Sequence, residues 1–253
     1  MPLPGRAGIL RGTNWRGAGV IAAIVFDKDG TLFDFEATWA LWTAGLLAEL
    51  SDGEAAVAAQ LAEAVGFDLL SCSFHAHSPV IAATPVEIAA AMLPHLPGWS
   101  ADALVDRMNA RAADARQAEV VPLRPLLEQL RAGGLLLGLV TNDGEVPARA
   151  HLSAAGITDL FDFVAGSDSG HGAKPAPGQL LAFARSTGVA PGATVMVGDS
   201  LHDLHAGRAA GMRAVGVLTG LAAQRDLAPH ADAVLPDIGA LPGWLATLPQ
   251  RQG

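Results

Sequence analysis

The chain has 253 residues, of which 51% are hydrophobic, and carries a formal charge of −9 at pH 7. That length admits one large domain or a domain with an insert, and the acidic balance argues against a nucleic-acid partner, which would need a face rich in Lys and Arg to neutralise phosphates. A single cysteine, Cys72, excludes an internal disulfide and any multi-cysteine metal cluster, which suits a reducing compartment.

Residues 1–19 are rich in Gly and Arg without hydrophobic periodicity and are expected to be a disordered extension or the product of an early start codon. Gly17-Ala18-Gly19-Val20-Ile21-Ala22 fits GxGxxA, but it precedes an apolar run instead of following one, the wrong context for a dinucleotide fingerprint. The run itself, Val20 to Phe26, has no helical alternation and reads as a strand buried on both faces, hence part of a parallel sheet. At about seven residues it is at the short limit for a signal segment and well below a membrane span, so a soluble, cytoplasmic protein is expected. It ends in Asp27-Lys28-Asp29-Gly30-Thr31. Two carboxylates thus reach the sheet edge where open α/β folds bind ligands, although the same residue types also make ordinary turns.

The hydrophobic period then changes. Trp39, Trp42, Leu46, Leu47 and Leu50 mark one face of an amphipathic helix, and Val57, Leu61 and Val65 mark a second. Thr84-Pro85-Val86-Glu87 carries the start signal of a third, a capping box with proline at the first helical position, and Leu104, Val105, Met108 and Ala112 stripe a fourth. No strand is expected among them. An all-helical stretch of about 85 residues is far too long for a βα connection. Residues 34–120 are therefore expected as a domain inserted into a core made of 20–33 and 121–253, with crossings near Phe33-Asp34-Phe35 and Val121-Pro122. Trp39 and Trp42 are expected to pack in its interior. Cys72, His75 and His77 are spaced like metal ligands, but three candidates fall short of the usual four of a structural zinc site.

Past Pro122, helices and strands alternate. Helix 123–132 closes at Gly133-Gly134 before strand 135–140, and helix 145–155 closes at Gly156 before an apolar stretch at 160–164. Helix 178–187 closes at Gly188 before strand 194–197, and helix 201–210 closes at Gly211 before strand 214–218; strand 233–235 and a short helix end the chain. Repeated units of this kind with right-handed crossovers predict the α/β class, a doubly wound parallel sheet carrying an inserted all-helical domain.

Three strand ends carry chemistry: Asp27-Lys28-Asp29-Gly30-Thr31, Thr141-Asn142, and Gly198-Asp199-Ser200-Leu201-His202-Asp203, with Lys174-Pro175-Ala176-Pro177 lying between the last two. In this order they resemble the haloacid dehalogenase-like phosphohydrolase superfamily at all four of its motifs, over residues 20 to 237, and most closely its phosphoglycolate phosphatase-like members. The resemblance implies a Rossmann-like core and a helical C1 cap that closes over the active site, with the stretch Gly66 to Val80 facing it. It implies Asp27 as a nucleophile that forms an aspartyl-phosphate and Asp29 as the group that protonates the leaving oxygen and then activates water. The Thr141 hydroxyl, with backbone amides near Gly30 and Asn142, would cradle the phosphoryl oxygens, and Lys174 would pair with nucleophile and phosphoryl group. Magnesium is the implied cofactor, held by the carboxylates of Asp27 and Asp199 and the main-chain carbonyl of Asp29. Asp203 is either the capping-box residue of the next helix or a support for a metal-bound water or Lys174. Lys28 should point away from both catalytic carboxylates.

The implied activity is magnesium-dependent hydrolysis of a small phosphorylated metabolite, 2-phosphoglycolate first among candidates. Dehalogenases of the superfamily lack the second aspartate, and its phosphonate hydrolases add a cap lysine, whereas residues 34–120 here hold no lysine. A β-phosphoglucomutase-like phosphosugar mutase is an alternative; there a histidine follows the nucleophile by twelve residues, the place of Trp39 here. A non-catalytic binding protein on the same fold is the other.

Overall fold

The computed structural model describes residues 21–75 and 77–248, so the expected extension at 1–19 lies outside the described residues. The described residues open with β1 (Ala23–Phe26) and pass into the insert: α1 (Phe35–Leu50), α2 (Ala55–Ala64), β2 (Phe67–Asp68), β3 (Ser73–Phe74), α3 (Pro85–Met92) and α4 (Ala101–Ala113). They return through α5 (Leu123–Ala132), β4 (Leu136–Val140), α6 (Glu145–Ala154), β5 (Phe163–Ala165) and α7 (Gly178–Thr187). There follow β6 (Thr194–Gly198), α8 (Leu201–Ala209), β7 (Arg213–Val217), α9 (Gln224–Leu227), β8 (Ala233–Leu235) and α10 (Leu241–Thr247).

Six strands form one parallel sheet of order β5-β4-β1-β6-β7-β8, with β1 at its centre. Side chains alternate across it as a period of two requires. Ile24 and Phe26 join Leu137, Leu139, Val195 and Val197 in a cluster with Leu127 and Leu130 of α5, Leu152 of α6 and Leu241 of α10. Ala23, Val25 and Met196 face the other way, onto Leu180 and Phe183 of α7 and Ala206 of α8. Both faces of β1 are thus covered, which is why its sequence is apolar without a break. Gly188 ends α7 at φ 72°, in the left-handed region a side chain would resist.

Helices α1 to α4 bury their own cluster, built on Trp39, Leu46, Leu47, Leu61, Met92, Leu104 and Met108. Local caps set their starts. The Asp34 carboxylate accepts from the Ala37 amide at 2.8 Å, and Thr84 and Glu87 form the expected capping box, with the Thr84 amide donating to Glu87 Oε2 at 2.7 Å. The insert is not wholly helical: β2 and β3 pair antiparallel, Phe67 opposite Phe74, and the Phe74 ring packs on Phe67 at 5.0 Å and on Phe35 at 5.1 Å. Two-residue strands are too short to show a period, and the hairpin exists because it buries two phenylalanines. The two crossings between insert and core run side by side, the Asp34 amide donating to the Ala118 carbonyl at 2.8 Å and the Val120 amide to the Leu32 carbonyl at 3.1 Å. Among the described residues, no helix is long and apolar enough to cross a membrane.

Candidate active site

Strand register assembles the site. Phe26 pairs with Leu139 on one side and Val197 on the other, so Thr141 and Asp199 leave the sheet edge beside Asp27. The Asp27 amide donates to the Val197 carbonyl at 2.9 Å, and beyond it the chain turns. Lys174 comes from the loop before α7, clamped by Asn142: Oδ1 accepts from the Lys174 amide, and Nδ2 donates to the Lys174 carbonyl and to the carbonyl of Ala82 in the insert, all at 2.8 Å. The Asn142 side chain is thereby fully engaged. The Thr141 hydroxyl accepts from the Asp143 amide at 3.1 Å, which leaves its own proton to donate.

Lys174 Nζ sits between two buried carboxylates, 2.5 Å from Asp27 Oδ1 and 2.6 Å from Asp203 Oδ1, and also donates to the Val140 carbonyl at 3.2 Å. Asp203 fills both roles that its sequence left open, since its other oxygen accepts from the Ser200 amide at 3.1 Å and hydroxyl at 2.7 Å to cap α8. Burial pushes Asp27 up to about 7 against the pull of Lys174, with Asp203 and Asp29 adding to the rise. Asp199 is raised well above the usual carboxylate range by burial, then by Asp203 and Asp27. Burial would lower Lys174, but the flanking carboxylates outweigh it and hold the ammonium charged.

One oxygen from each of Asp27, Asp199 and Asp203 lies within 4.8 Å of the others, all three residues buried. Three clustered carboxylates, two of them paired with one lysine, fit a hard divalent cation such as magnesium, which would relieve their mutual repulsion. Glycine makes the room: a Cβ on Gly30 would lie 2.5 Å from Asp199 Oδ2, and one on Gly220 1.7 Å from it. The Gly30 amide, expected near the phosphoryl oxygens, donates instead to the Phe33 carbonyl at 2.7 Å, and the Gly30 carbonyl accepts from the Thr219 hydroxyl at 2.6 Å. Cys72, His75 and His77 form no such group among the described residues.

Asp29 is held by neighbours its sequence did not announce. Its carboxylate accepts from the Trp39 indole Nε1–H at 2.8 Å and pairs with Lys28 Nζ at 2.9 Å. Lys28 therefore does not point away from both carboxylates as expected. It is fully buried, and its remaining partners are Asp143 Oδ2 at 3.2 Å and His151 Nδ1 at 3.0 Å. Burial alone would lower Lys28, but Asp29 and Asp143 offset it and raise its pKa. The reason is local: β1 ends at Phe26, so strand alternation no longer applies to Lys28, and the turn through Gly30 (φ 75°) folds Lys28 and Asp29 onto one side.

The model of the family described as haloacid dehalogenase-like hydrolase matches residues 24–217. The chain belongs to that family. Among curated hydrolases it is 38% identical over 128 residues to a phosphoglycolate phosphatase of Rhodospirillum rubrum (51% of this chain, 53% of that one), and 37% identical over 117 residues to one of Escherichia coli (46% of each). The chain spans about half the length of these relatives. The fold matches that of CbbY from Rhodobacter sphaeroides in complex with phosphate, at TM-score 0.65 and 23% identity over 88% of this chain and 96% of that one. It also matches a HAD phosphatase from Thermococcus onnurineus, at TM-score 0.65 and 24% identity over 91% and 100%.

In this family member the site opens into a cleft of about 690 Å³, counting its mouth, between core and insert. The core side is charged, with Asp27, Asp29, Asp143, Lys174, Asp199, His202 and Asp203. The insert side is apolar, with Phe35, Trp39, Trp42, Ile81, Ile88 and Met108 prominent. Of the stretch 66–80 expected to face the site, Val80 lines the cleft, and the lining continues through Ala83. Trp39 packs in the insert's interior as expected, yet also presents its N–H to Asp29. Its position twelve residues after Asp27 was the only sequence signal; His151 and Gly220 had none.

Proposed function

We propose that the protein is a magnesium-dependent phosphomonoester hydrolase that works through an aspartyl-phosphate on Asp27. The observation that carries the reading is the buried Asp27 carboxylate, held at 2.5 Å by Lys174 inside a three-carboxylate group. A phosphate monoester repels anionic nucleophiles, so a catalyst must neutralise its oxygens, align an attacking group and protonate the leaving alcohol. Asp27 attacks phosphorus in line, forming its bond as the ester P–O bond breaks, while Lys174, the Thr141 hydroxyl and the backbone amide of Asn142 meet the phosphoryl oxygens. Asp29 gives its proton to the departing oxygen. It then takes one from the water that attacks phosphorus, releasing inorganic phosphate and restoring Asp27. Held by Asp27, Asp199 and the Asp29 carbonyl, magnesium would supply the positive charge that lets carboxylate and phosphate approach. Lys28 and Trp39 fix the carboxylate of Asp29 beside the cleft, and Asp203 fixes Lys174.

The sequence places 2-phosphoglycolate first among substrates, and the names of the Rhodospirillum and Escherichia relatives support it. The test is phosphate release from a panel of small phosphomonoesters with magnesium and with chelator. Turnover should require magnesium and vanish in Asp27→Asn. An Asp27→Asn protein that still turns over would refute the nucleophile.

A further inference from the structure

We propose that the turn Thr219-Gly220 after β7, which lies outside all four motifs, aims the Asp199 carboxylate at the cation site, making Thr219 and Gly220 positioning residues for magnesium binding. The inference rests on the magnesium-dependent hydrolase reading and deepens it.

The carboxylates around this site are held in two different ways. Asp27 pairs with Lys174, Asp203 with Lys174 and the Ser200 hydroxyl, and Asp29 with Lys28 and the Trp39 indole. Asp199 is buried beside them, yet its carboxylate takes no hydrogen bond or ion pair from another described residue. Its lone pairs are free to meet a cation, but no directional bond sets where they point. Shape sets it instead. A Cβ on Gly30 would lie 2.5 Å from Asp199 Oδ2 and 2.6 Å from its Cγ, and one on Gly220 1.7 Å and 2.3 Å from the same atoms. Bare backbone from two separate loops therefore packs directly on the carboxyl group.

The two glycines answer different needs. Gly30 has φ 75°, a conformation that favours glycine whatever its neighbours. Gly220 lies outside the left-handed region, so its backbone would accept alanine, and only the approach to Asp199 demands glycine. The turn is also pinned against withdrawal. On one side of Gly220 the Leu218 amide donates to the Leu235 carbonyl of β8 at 3.0 Å, and the Thr219 hydroxyl donates to the Gly30 carbonyl at 2.6 Å. This second bond ties the two glycine-bearing loops to each other. Gly30 is thereby held at both ends, because its amide donates to the Phe33 carbonyl at 2.7 Å. Through a planar trans peptide, that amide sets the direction of the Asp29 carbonyl, the main-chain group expected to hold magnesium. One hydroxyl after β7 thus braces the surroundings of two expected ligands.

The experiment titrates magnesium into the full chain by calorimetry, with the metal-free melting temperature recorded alongside to show that each variant is folded. It compares wild type with Gly220→Ala, Thr219→Val, Thr219→Ser and Gly192→Ala. Gly192 has no positive φ and nothing within 4 Å of an added Cβ, so it reports what the exchange does away from the site. Groups that orient metal ligands contribute about 10- to 100-fold to metal affinity. Gly220→Ala and Thr219→Val should each weaken magnesium within that range, Thr219→Ser should restore it, and Gly192→Ala should leave it unchanged. Phosphate release by the two weakened variants should fall at limiting magnesium and largely recover at saturating magnesium. Should Gly220→Ala fold poorly, Thr219→Val, close to threonine in shape, carries the test. Wild-type affinity in both variants, an equal loss in Gly192→Ala, or a Thr219→Ser no tighter than Thr219→Val would overturn the inference and leave the hydrolase reading standing. Folded wild type that binds no magnesium, or releases phosphate equally well in chelator, would overturn the magnesium reading and this inference with it.

Discussion

At the scale of single residues, the reach of Trp39 from the insert to Asp29 invites a clean test. Trp39→Phe keeps an aromatic ring against Trp42, whose centroid lies 5.0 Å away, and removes the 2.8 Å hydrogen bond. General acid–base catalysis contributes ~10²–10⁴-fold, so a mispositioned acid should lower kcat by about 10- to 100-fold, with KM nearly unchanged. Unaltered kcat would show that the indole only packs. His151 offers a second test. Its Nε2 lies 2.6 Å from the Ala112 carbonyl and must donate, so Nδ1 is the lone pair that accepts from Lys28 Nζ at 3.0 Å, and the ring is neutral. Burial first, then Lys28, pushes its pKa down to about 4, against the Ala112 carbonyl and Asp29. Between that value and the ordinary 6.5, the unfolded chain binds a proton that the folded one does not, so stability falls as pH falls through this window. Urea unfolding should show wild type losing about 2 kcal/mol more than His151→Leu between pH 7 and 5; equal losses would contradict a neutral buried ring.

At the scale of elements, α3 presents Pro85 and Ile88 to the cleft and depends on the Thr84–Glu87 box for its first turn. Thr84→Ala should cost about 1 kcal/mol in denaturant unfolding, with Thr84→Ser restoring most of it. That box was legible because capping chemistry is local, and so were the strand ends that carry Asp27, Thr141 and Asp199, because a strand covered on both faces must be apolar throughout and then stop. Illegible were contacts made by chain reversal. Lys28 meets Asp29 only because a turn replaces the strand, Trp39 meets it across the seam between insert and core, and Gly220 matters only because Asp199 lies against it. Periodicity reports which face a side chain takes within an element. It does not report what another element brings to that face.

At the scale of the whole molecule, charge is concentrated on one side of the cleft, and burial opposes it. Asp27 and Asp199 have folded pKa values raised above 3.8, so between those values the folded state binds more protons than the unfolded one. Metal-free stability should therefore fall, through these two groups, as pH rises through that interval, opposite in sign to His151. Protons also compete with a cation for the same oxygens. Magnesium should raise the melting temperature more at pH 8 than at pH 5.5, and Asp199→Asn should lose most of that gain; a pH-independent shift, or one preserved in the variant, would place the ion elsewhere.

The paired crossings at Asp34–Ala118 and Leu32–Val120 have a consequence for how such a molecule diversifies. Because the insert begins and ends within one hydrogen bond of itself, its ends have the geometry of an exchangeable cassette: a different sequence spliced in at that seam would not need to move a strand. The core would keep the carboxylates and the lysine at its strand ends, while each new cassette would bring another wall to the cleft they face.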